Sequence, residues 1–179
     1  MTSKVKANKN GIGIFGGSFD PPHKGHLKIS KVSLNRLKLK KLHWLVTKKN
    51  PFKKSTYFSL EERIIKCSKM LNKYKKIKVE YLENKLKSSR TISIIRYFKK
   101  KNKKTKIYLI IGSDNLIHFN KWKNWKEILR ICELVVFSRK GYDKKAKKSV
   151  IISHLKNKNI TFIKDKKICI SSSEIRKKL

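Results

Sequence analysis

Two histidines three residues apart, His23 and His26, end a glycine- and proline-rich stretch that begins at Gly16. Glycines let the backbone approach a ligand closely, and a helix that begins at the histidines directs unpaired N–H groups and a partial positive charge at an anion. Residues at i and i+3 project from one side of a first helical turn, and imidazoles donate hydrogen bonds to phosphate oxygens. A tight turn alone accounts for the glycines and prolines but not for the histidines. The stretch therefore predicts a polyphosphate site.

A second candidate for anion binding lies near the end of the chain, from Ser171 to Arg176. Serine followed by an acidic residue before an apolar position is a helix N-cap signature, and a cap is one complete interpretation of this segment. The other interpretation is that the hydroxyls of Ser172 and Ser173, the helix N–H groups and Arg176 converge on an anion. The segment alone leaves both open.

Acidic residues are scarce, with 11 Asp and Glu in the chain, yet Asp20 and Asp114 both follow apolar runs. Gly112, Ser113 and Asp114 fit a turn and a helix cap, but the position after a strand also favours contacts with a ribose or a base, or the orientation of backbone groups. The acids form no cluster that would build a metal cage. We expect no metal held by protein ligands, and any Mg²⁺ would be held mainly by substrate phosphates and water.

The strands and helices that position these residues can be predicted from the apolar residues. Continuous apolar runs alternate along the chain with segments in which apolar residues have helical spacing. Strands are predicted at Ile12–Phe15, Leu42–Val46, Ile77–Tyr81, Ile107–Ile111, Leu134–Phe137, Ile160–Ile163 and Ile168–Ile170. Helices are predicted at Lys24–Leu37, Leu60–Leu71, Thr91–Phe98, Leu116–Phe119, Trp125–Ile131, Lys144–Leu155 and Ser172–Leu179. Such alternation predicts an α/β protein with a Rossmann-like, doubly wound parallel sheet, whose ligands sit beyond the carboxyl ends of the strands. We expect a single domain over residues 1–179, with residues 1–10 as a flexible basic tail.

The formal charge of +38 would favour a nucleic-acid-binding protein. However, only seven of the 49 basic residues are Arg, and the lysines are spread over the whole chain. This distribution favours compositional drift, with weak and salt-sensitive RNA binding, over a specific nucleic-acid partner. A dedicated nucleic-acid-binding protein remains the alternative from a different class, and sequence-selective binding at physiological salt would favour it.

The remaining patterns exclude several classes of protein. Gly11, Gly13 and Gly16 match the spacing of a dinucleotide fingerprint, which must follow a strand. Gly11 and Gly13 instead precede or lie within the predicted strand, and no acid lies near Arg36, so we reject that motif. No P-loop pattern occurs, and no apolar run is long enough to span a membrane. The N-terminus lacks the apolar core of a secretory signal. The widely spaced Cys67, Cys132 and Cys169 favour reduced thiols and a cytoplasmic location.

Taken together, these segments resemble the bacterial nicotinate-nucleotide adenylyltransferases of the HxGH nucleotidyltransferase superfamily. The matching segments follow the family's order over nearly the whole chain: Gly16–His26, Thr47–Lys53, Ser89–Thr91, Ile110–Leu116, Phe119–Trp122, Ser138–Tyr142 and Ile170–Arg176. The resemblance implies transfer of AMP from ATP to nicotinate mononucleotide, in-line and without a covalent enzyme intermediate. Phosphoryl-type transfer mainly needs positioning and charge neutralisation, and the residues present suit those tasks.

The resemblance also implies roles for individual residues. His23, His26 and Arg176 would be catalytic, as stabilisers of phosphate charge. The ATP-binding set would be Gly16, Gly17, Ser18, Phe19, His23, His26, Gly112, Asp114, Ser138, Ser172, Ser173 and Arg176. The mononucleotide-binding set would be Asp20, Lys53, Lys54, Thr91, Trp122 and Lys123, with Trp122 stacked on the nicotinate ring and either Lys53 or Lys54 on phosphate. The nearest alternative is a sister enzyme acting on nicotinamide mononucleotide or phosphopantetheine, and the oligomeric state stays open.

Overall fold

The computed structural model describes residues 10–48, 55–155, 159–164 and 172–177. Within these residues, six strands form one sheet: β1 (Gly11–Gly17), β2 (Leu39–Val46), β3 (Ile77–Glu80), β4 (Ile107–Gly112), β5 (Glu133–Phe137) and β6 (Ile160–Ile163). All neighbouring strands pair in parallel. The predicted α/β sheet is therefore confirmed, and the predicted strand at 168–170 lies outside the described residues.

The strand order is β3-β2-β1-β4-β5-β6. The chain runs outward in one direction from β1 to β3 and then returns to β4 on the other side of β1. This reversal leaves a crevice between the carboxyl ends of β1 and β4, which is where doubly wound sheets bind their ligands. Gly16 and Gly17, at the end of β1, and Gly112, at the end of β4, lie at this crevice.

Helices cover the sheet between the strands. Those in the described residues are α1 (Lys24–Arg36), α2 (Leu60–Leu71), α3 (Glu83–Leu86), α4 (Thr91–Lys101), α5 (Ser113–Ile117), α6 (Trp125–Ile131), α7 (Asp143–Lys147), α8 (Val150–Leu155) and α9 (Ser172–Arg176), with a 3₁₀ turn at Phe119–Lys121. The predicted helix Lys144–Leu155 is wrong as a single element. It is divided into α7 and α8, because Ser149 bonds back to Ala146 while its own carbonyl accepts from Ile152 and starts a new turn.

The face of α1 that packs on the sheet carries small hydroxyl side chains as well as apolar ones. Leu27, Val32 and Leu34 are only partly buried against the core, while Ser30 and Ser33 are fully buried. The buried indole of Trp44, on β2, needs a hydrogen-bond acceptor, and its Nε1 donates to Ser30 Oγ at 2.7 Å. Small hydroxyl side chains therefore let α1 lie close to the sheet and satisfy that donor.

Two apolar layers, one on each face of the sheet, hold these elements together. Cys67 and Cys132 are buried free thiols within these layers, as predicted for them, and Cys169 lies outside the described residues. None of the helices in the described segments combines the length and apolar character needed to span a membrane.

Candidate active site

A cavity of about 630 Å³ opens at the crevice between β1 and β4. Its floor is apolar, with Ile14, Leu45 and Leu109 from three neighbouring strands. Residues predicted for both substrates line it: Gly16, Gly17, Gly112, Thr91, Trp122 and Lys123. An apolar cavity of this size with a few polar groups is typical of a small-molecule site.

Both histidines at the start of α1 accept backbone hydrogen bonds through Nδ1. His23 is the N-cap residue and accepts from the Gly25 N–H at 3.1 Å, while His26 accepts from the His23 N–H at 3.2 Å. This reciprocal arrangement is a capping box made of two imidazoles. A ring whose Nδ1 accepts a hydrogen bond carries its hydrogen on Nε2, so each ring presents an Nε2–H donor.

His23 is buried, and burial is the main reason why its pKa is lowered from 6.5 to about 4. The positive charge of Arg139 lowers this pKa further, and the negative charge of Glu174 acts in the opposite direction. Near neutral pH, His23 in the ligand-free protein is therefore an uncharged donor.

The His26 ring rests on a group of aromatic side chains. Its centroid lies 4.9 Å from that of Phe19 and 5.9 Å from those of Phe15 and Trp44. Phe19 in turn stacks on Trp44 with centroids 4.5 Å apart. Phe19 adopts φ 47°, a left-handed conformation that is uncommon for a bulky residue. The loop after β1 thus places an aromatic support under His26 at the expense of backbone strain.

Asp20 joins the loop after β1 to two other parts of the chain. Its carboxylate is buried and accepts the Tyr57 and Phe58 N–H groups at 3.0 and 2.9 Å. Arg176 donates to the Asp20 carbonyl and lies 3.5 Å from the Asp20 carboxylate. The structure therefore gives Asp20 an orienting role, and its predicted contact with the mononucleotide stays a prediction.

Helix α9 packs onto the same loop. Ser172 Oγ donates to the Pro21 carbonyl at 3.0 Å, and Arg176 Nη2 donates to Ser173 Oγ at 3.1 Å. Both serines and Arg176 are thus brought beside the histidine loop, and their predicted contacts with an anion stay a prediction. The first residue of the motif, Ser171, lies outside the described residues.

The ends of β4 and β5 are joined by an ion pair between Asp114 and Arg139, whose Oδ2 and Nη1 lie 2.6 Å apart. The Arg139 N–H donates to Ser113 Oγ at 3.0 Å, which fixes the segment after Ser138. The second Asp114 oxygen, Oδ1, is buried and has no hydrogen-bond partner among the described residues. Gly112 must be small here, since a Cβ on it would overlap that oxygen.

Gly16 differs from the glycines inside the sheet. A Cβ at Gly16 would meet no protein atom within 4 Å, whereas one at Gly13 would overlap the side chains of Leu42 and Leu39. Packing therefore requires glycine at Gly13 but not at Gly16. The open space beside Gly16 belongs to the cavity, so its missing side chain leaves room for a ligand.

The other side of the cavity is formed by the start of α4 and the turn before α6. Thr91 begins α4, and Trp122 packs against Phe119 with centroids 4.8 Å apart. Trp122 Nε1 is buried with no hydrogen-bond partner in the described residues. Arg96 and Glu127 form a two-point ion pair that ties α4 to α6. Lys53 and Lys54 lie outside the described residues.

Sequence reasoning missed several residues that the structure places in or around the site. The cavity is also lined by Thr47, Arg90, Asn115 and Lys121, and Arg139 and Arg63 hold its loops from outside. All four lining residues lie in segments that the family resemblance had marked, although none of them was assigned a role. For Arg63 there was no signal, because its partners are backbone carbonyls.

In the part of the chain that the structure describes, no group of three His, Cys, Asp or Glu side chains is close enough together to hold a metal ion. The Asp20 carboxylate is already bonded to backbone groups and Asp114 to Arg139. This donor set fits a cation that arrives with a nucleotide and is coordinated by its phosphates.

Comparisons with known proteins agree with this architecture. Residues 14–178 match the family model described as cytidylyltransferase-like, which makes the chain a member of that class of nucleotidyltransferase. A Pelagibacter ubique protein named a probable nicotinate-nucleotide adenylyltransferase is 46% identical over 175 residues, which cover 98% of this chain and 97% of the relative. An Aquifex aeolicus protein with the same name is 33% identical over 90% of this chain and 98% of its own. Within that class, the chain belongs to the nicotinate-nucleotide adenylyltransferase family.

Solved structures support the fold. The nicotinic acid mononucleotide adenylyltransferase of Plasmodium falciparum, complexed with NaAD, superposes with a TM-score of 0.71. The superposition covers 94% of this chain and 83% of that one, at 23% sequence identity. At this identity the likeness concerns the fold, a single parallel sheet flanked by helices.

Proposed function

We propose that the protein transfers AMP from ATP to nicotinate mononucleotide and releases pyrophosphate and nicotinate adenine dinucleotide. The observation that carries the proposal is the pair of Nδ1-capped imidazoles at the start of α1, on the loop that leaves the cavity wall at Gly16 and Gly17. Membership of the nicotinate-nucleotide adenylyltransferase family supports the choice of acceptor.

The chemistry assigned to the histidines is charge stabilisation. In in-line displacement, the mononucleotide phosphate attacks the α-phosphorus of ATP, a P–O bond forms, and the bond to the β-phosphate breaks. Negative charge develops on the non-bridging α-phosphate oxygens and the leaving pyrophosphate. Preorganised donors aimed at such charge lower the barrier. His23 and His26 supply Nε2–H groups whose direction is fixed by their capping bonds.

The leaving pyrophosphate is assigned to α9. Ser172, Ser173 and Arg176 lie beside the loop of the histidines, and Arg176 is held by the Asp20 carbonyl. A guanidinium suits a polyphosphate because it donates several hydrogen bonds in a fixed plane. Mg²⁺ would enter on the ATP phosphates and neutralise part of their charge.

The remaining roles are assigned from positions at the strand ends and along the cavity wall. Gly112, Asp114 and Ser138, at the ends of β4 and β5, are assigned to the adenosine side. Thr91, Trp122 and Lys123 are assigned to the nicotinate side, where Trp122 offers a ring face and an unpartnered N–H within the described residues. The protein supplies position and electrostatics to both substrates, and no covalent intermediate is required.

Label placement tests this proposal. With nicotinate mononucleotide as acceptor, ATP labelled at the α-phosphate should give labelled dinucleotide. ATP labelled at the β-phosphate should instead give labelled pyrophosphate. Label released as ADP, or dinucleotide lacking the α-label, would exclude adenylyl transfer.

A further inference from the structure

The most heavily hydrogen-bonded side chain outside the assigned site is Arg63, in the first turn of α2. Its side chain is 1% exposed. The turn from which it projects is fixed by a capping box, in which Ser59 Oγ accepts from the Glu62 N–H and Glu62 accepts from the Ser59 N–H. Within the described residues the guanidinium pairs with no carboxylate and donates only to backbone carbonyls. A buried charge is costly unless its hydrogen bonds are complete, so the position of each partner matters.

The five carbonyls come from three separate segments. Nη1 donates to Ser18 O at 2.8 Å and to Thr47 O at 2.7 Å, and Nη2 donates to Lys48 O at 3.0 Å. Nε donates to Phe58 O at 3.2 Å and Ser59 O at 3.1 Å, within its own helix start. One rigid guanidinium therefore joins the loop after β1, the segment after β2 and the N-terminus of α2.

Two of these segments bound the cavity. Gly16 and Gly17, just before Ser18, line it on one side, and Thr47 lines it where β2 ends. The loop after β1 carries the histidines assigned to the donor ATP. The Thr47 N–H donates to the Gly17 carbonyl at 3.1 Å, so this loop and the segment after β2 lie side by side at the same edge of the cavity, and Arg63 binds both of them just beyond that bond.

The Ser18 carbonyl also precedes the strained residue of the loop. Phe19, with φ 47°, carries the ring that supports His26. Left-handed conformations of bulky residues persist only where neighbouring contacts hold them. The bond from Arg63 holds the peptide immediately before Phe19, and Asp20 holds the next residue through Tyr57 and Phe58. A physical connection thus runs from Arg63 through Ser18 and Phe19 to His26.

We infer that Arg63 is a positioning residue for adenylyl transfer, which fixes the placement of the ATP loop relative to the segment after β2. The inference rests on the proposed function for the identity of the two substrates. Arg63 touches neither substrate in this account. It holds the loop that carries the assigned ATP donors against the cavity edge at Thr47, and alignment of the α-phosphorus with the attacking phosphate affects the rate of transfer more than the binding of either substrate alone.

The test compares Arg63→Lys and Arg63→Gln with two controls. Lysine keeps the positive charge but has one donor centre, which cannot reach all three segments as the planar guanidinium does. Arg36→Gln, at an exposed arginine of α1, controls for loss of a basic residue. Leu71→Ala, at the buried end of α2, controls for simple loss of stability. The measurements are kcat, separate affinities for a non-hydrolysable ATP analogue and for the mononucleotide, and the melting temperature.

We expect Arg63→Lys to lose at least about tenfold in kcat, because small misplacements of reacting groups have effects of this size. Each separate affinity should change much less than kcat, and both controls should keep the wild-type kcat below their melting temperatures. A wild-type kcat in Arg63→Lys, or a loss explained entirely by its unfolded fraction, would overturn the inference.

Amide hydrogen exchange separates this inference from the proposed function, since it needs no substrate. Arg63→Lys should speed exchange in residues 18–20 and 55–58, with α4 as an unchanged internal reference. If the wild-type protein fails to use nicotinate mononucleotide, the proposed function fails, and the positioning role is still judged by exchange. Unchanged exchange in both segments would overturn the positioning role even in an active enzyme. Should Arg63→Gln fail to fold, Arg63→Lys carries the test.

Discussion

The imidazole rings of His23 and His26 lie with their centroids 3.8 Å apart, and each uses Nδ1 to accept a backbone N–H of the same helical turn. Two imidazole rings can lie this close because His23 is neutral at physiological pH, so the pair does not carry two positive charges. The cap orients both rings, so the helix start and the phosphate-binding donors are one structure. Substitutions that keep the cap but remove the Nε2–H can therefore separate the two roles.

His26→Asn is the first such substitution. Asparagine caps helices well and can accept the His23 N–H, but it lacks a donor at the position of Nε2. We expect a fall of about 10²-fold or more in kcat, the usual cost of losing one preorganised donor to developing charge, with a melting temperature close to wild type. His26→Ala should lose the same activity and some stability as well. Turnover near wild type in both variants would contradict the assignment of His26 as a charge stabiliser.

The lowered pKa of His23 makes a prediction about stability. The pKa of His23 is about 4 in the folded protein, whereas it has the ordinary histidine value of 6.5 in the unfolded chain. Between these two pH values the unfolded chain binds a proton at this residue and the folded protein does not. Stability should therefore be lost as the pH falls from 6.5 towards about 4. His23→Asn keeps a capping acceptor without this titration, so its melting temperature should decline less steeply over the interval. If the melting temperatures of the two proteins fell equally over this pH interval, the lowered pKa of His23 would be contradicted.

Several parts of this structure could be predicted from sequence because local signals agreed. The bounds of α2, Leu60–Leu71, match the prediction made from apolar spacing. The glycine loop and both histidines were found from residue type and position, whereas Trp122, which lines the cavity, was named through the family resemblance. An orienting role was among those predicted for Asp20, but its partners, and the bridging role of Arg63, were not predictable. Asp20 accepts from the Tyr57 N–H, 37 residues away, and Arg63 donates to the Ser18 carbonyl, 45 residues away, and no residue type marks a backbone partner. The division of the lysine-rich helix at Ser149 was missed because its apolar spacing continues across the break.

Gly16→Ala tests whether the open space beside β1 serves a ligand. The added methyl group meets no protein atom within 4 Å, so the melting temperature should change little. The same methyl group would occupy the approach to the cavity, and we expect a higher KM for ATP and a lower kcat. Gly13→Ala is the matched control, because its Cβ overlaps Leu42 and Leu39 and should reduce stability. Unimpaired ATP use by Gly16→Ala would show that no ligand approaches this residue closely.

Trp122→Ala tests the assignment of the nicotinate side. Stacking of an aromatic ring on a base contributes about 1–3 kcal/mol, so the KM for nicotinate mononucleotide should rise roughly tenfold or more. The KM for ATP should stay near wild type, because Trp122 lies across the cavity from the histidine loop in this account. Trp122→Phe keeps a ring face and should recover part of the loss. A selective defect in ATP binding would move Trp122 to the other substrate.

The most direct test of the central claim is the choice of acceptor. Purified protein is given ATP and Mg²⁺ with nicotinate mononucleotide, nicotinamide mononucleotide or phosphopantetheine in separate reactions, and kcat/KM is measured for each by pyrophosphate release. We expect the highest kcat/KM with nicotinate mononucleotide, and we expect this activity to be lost in His26→Asn. Equal or better use of either other acceptor would contradict the proposed function.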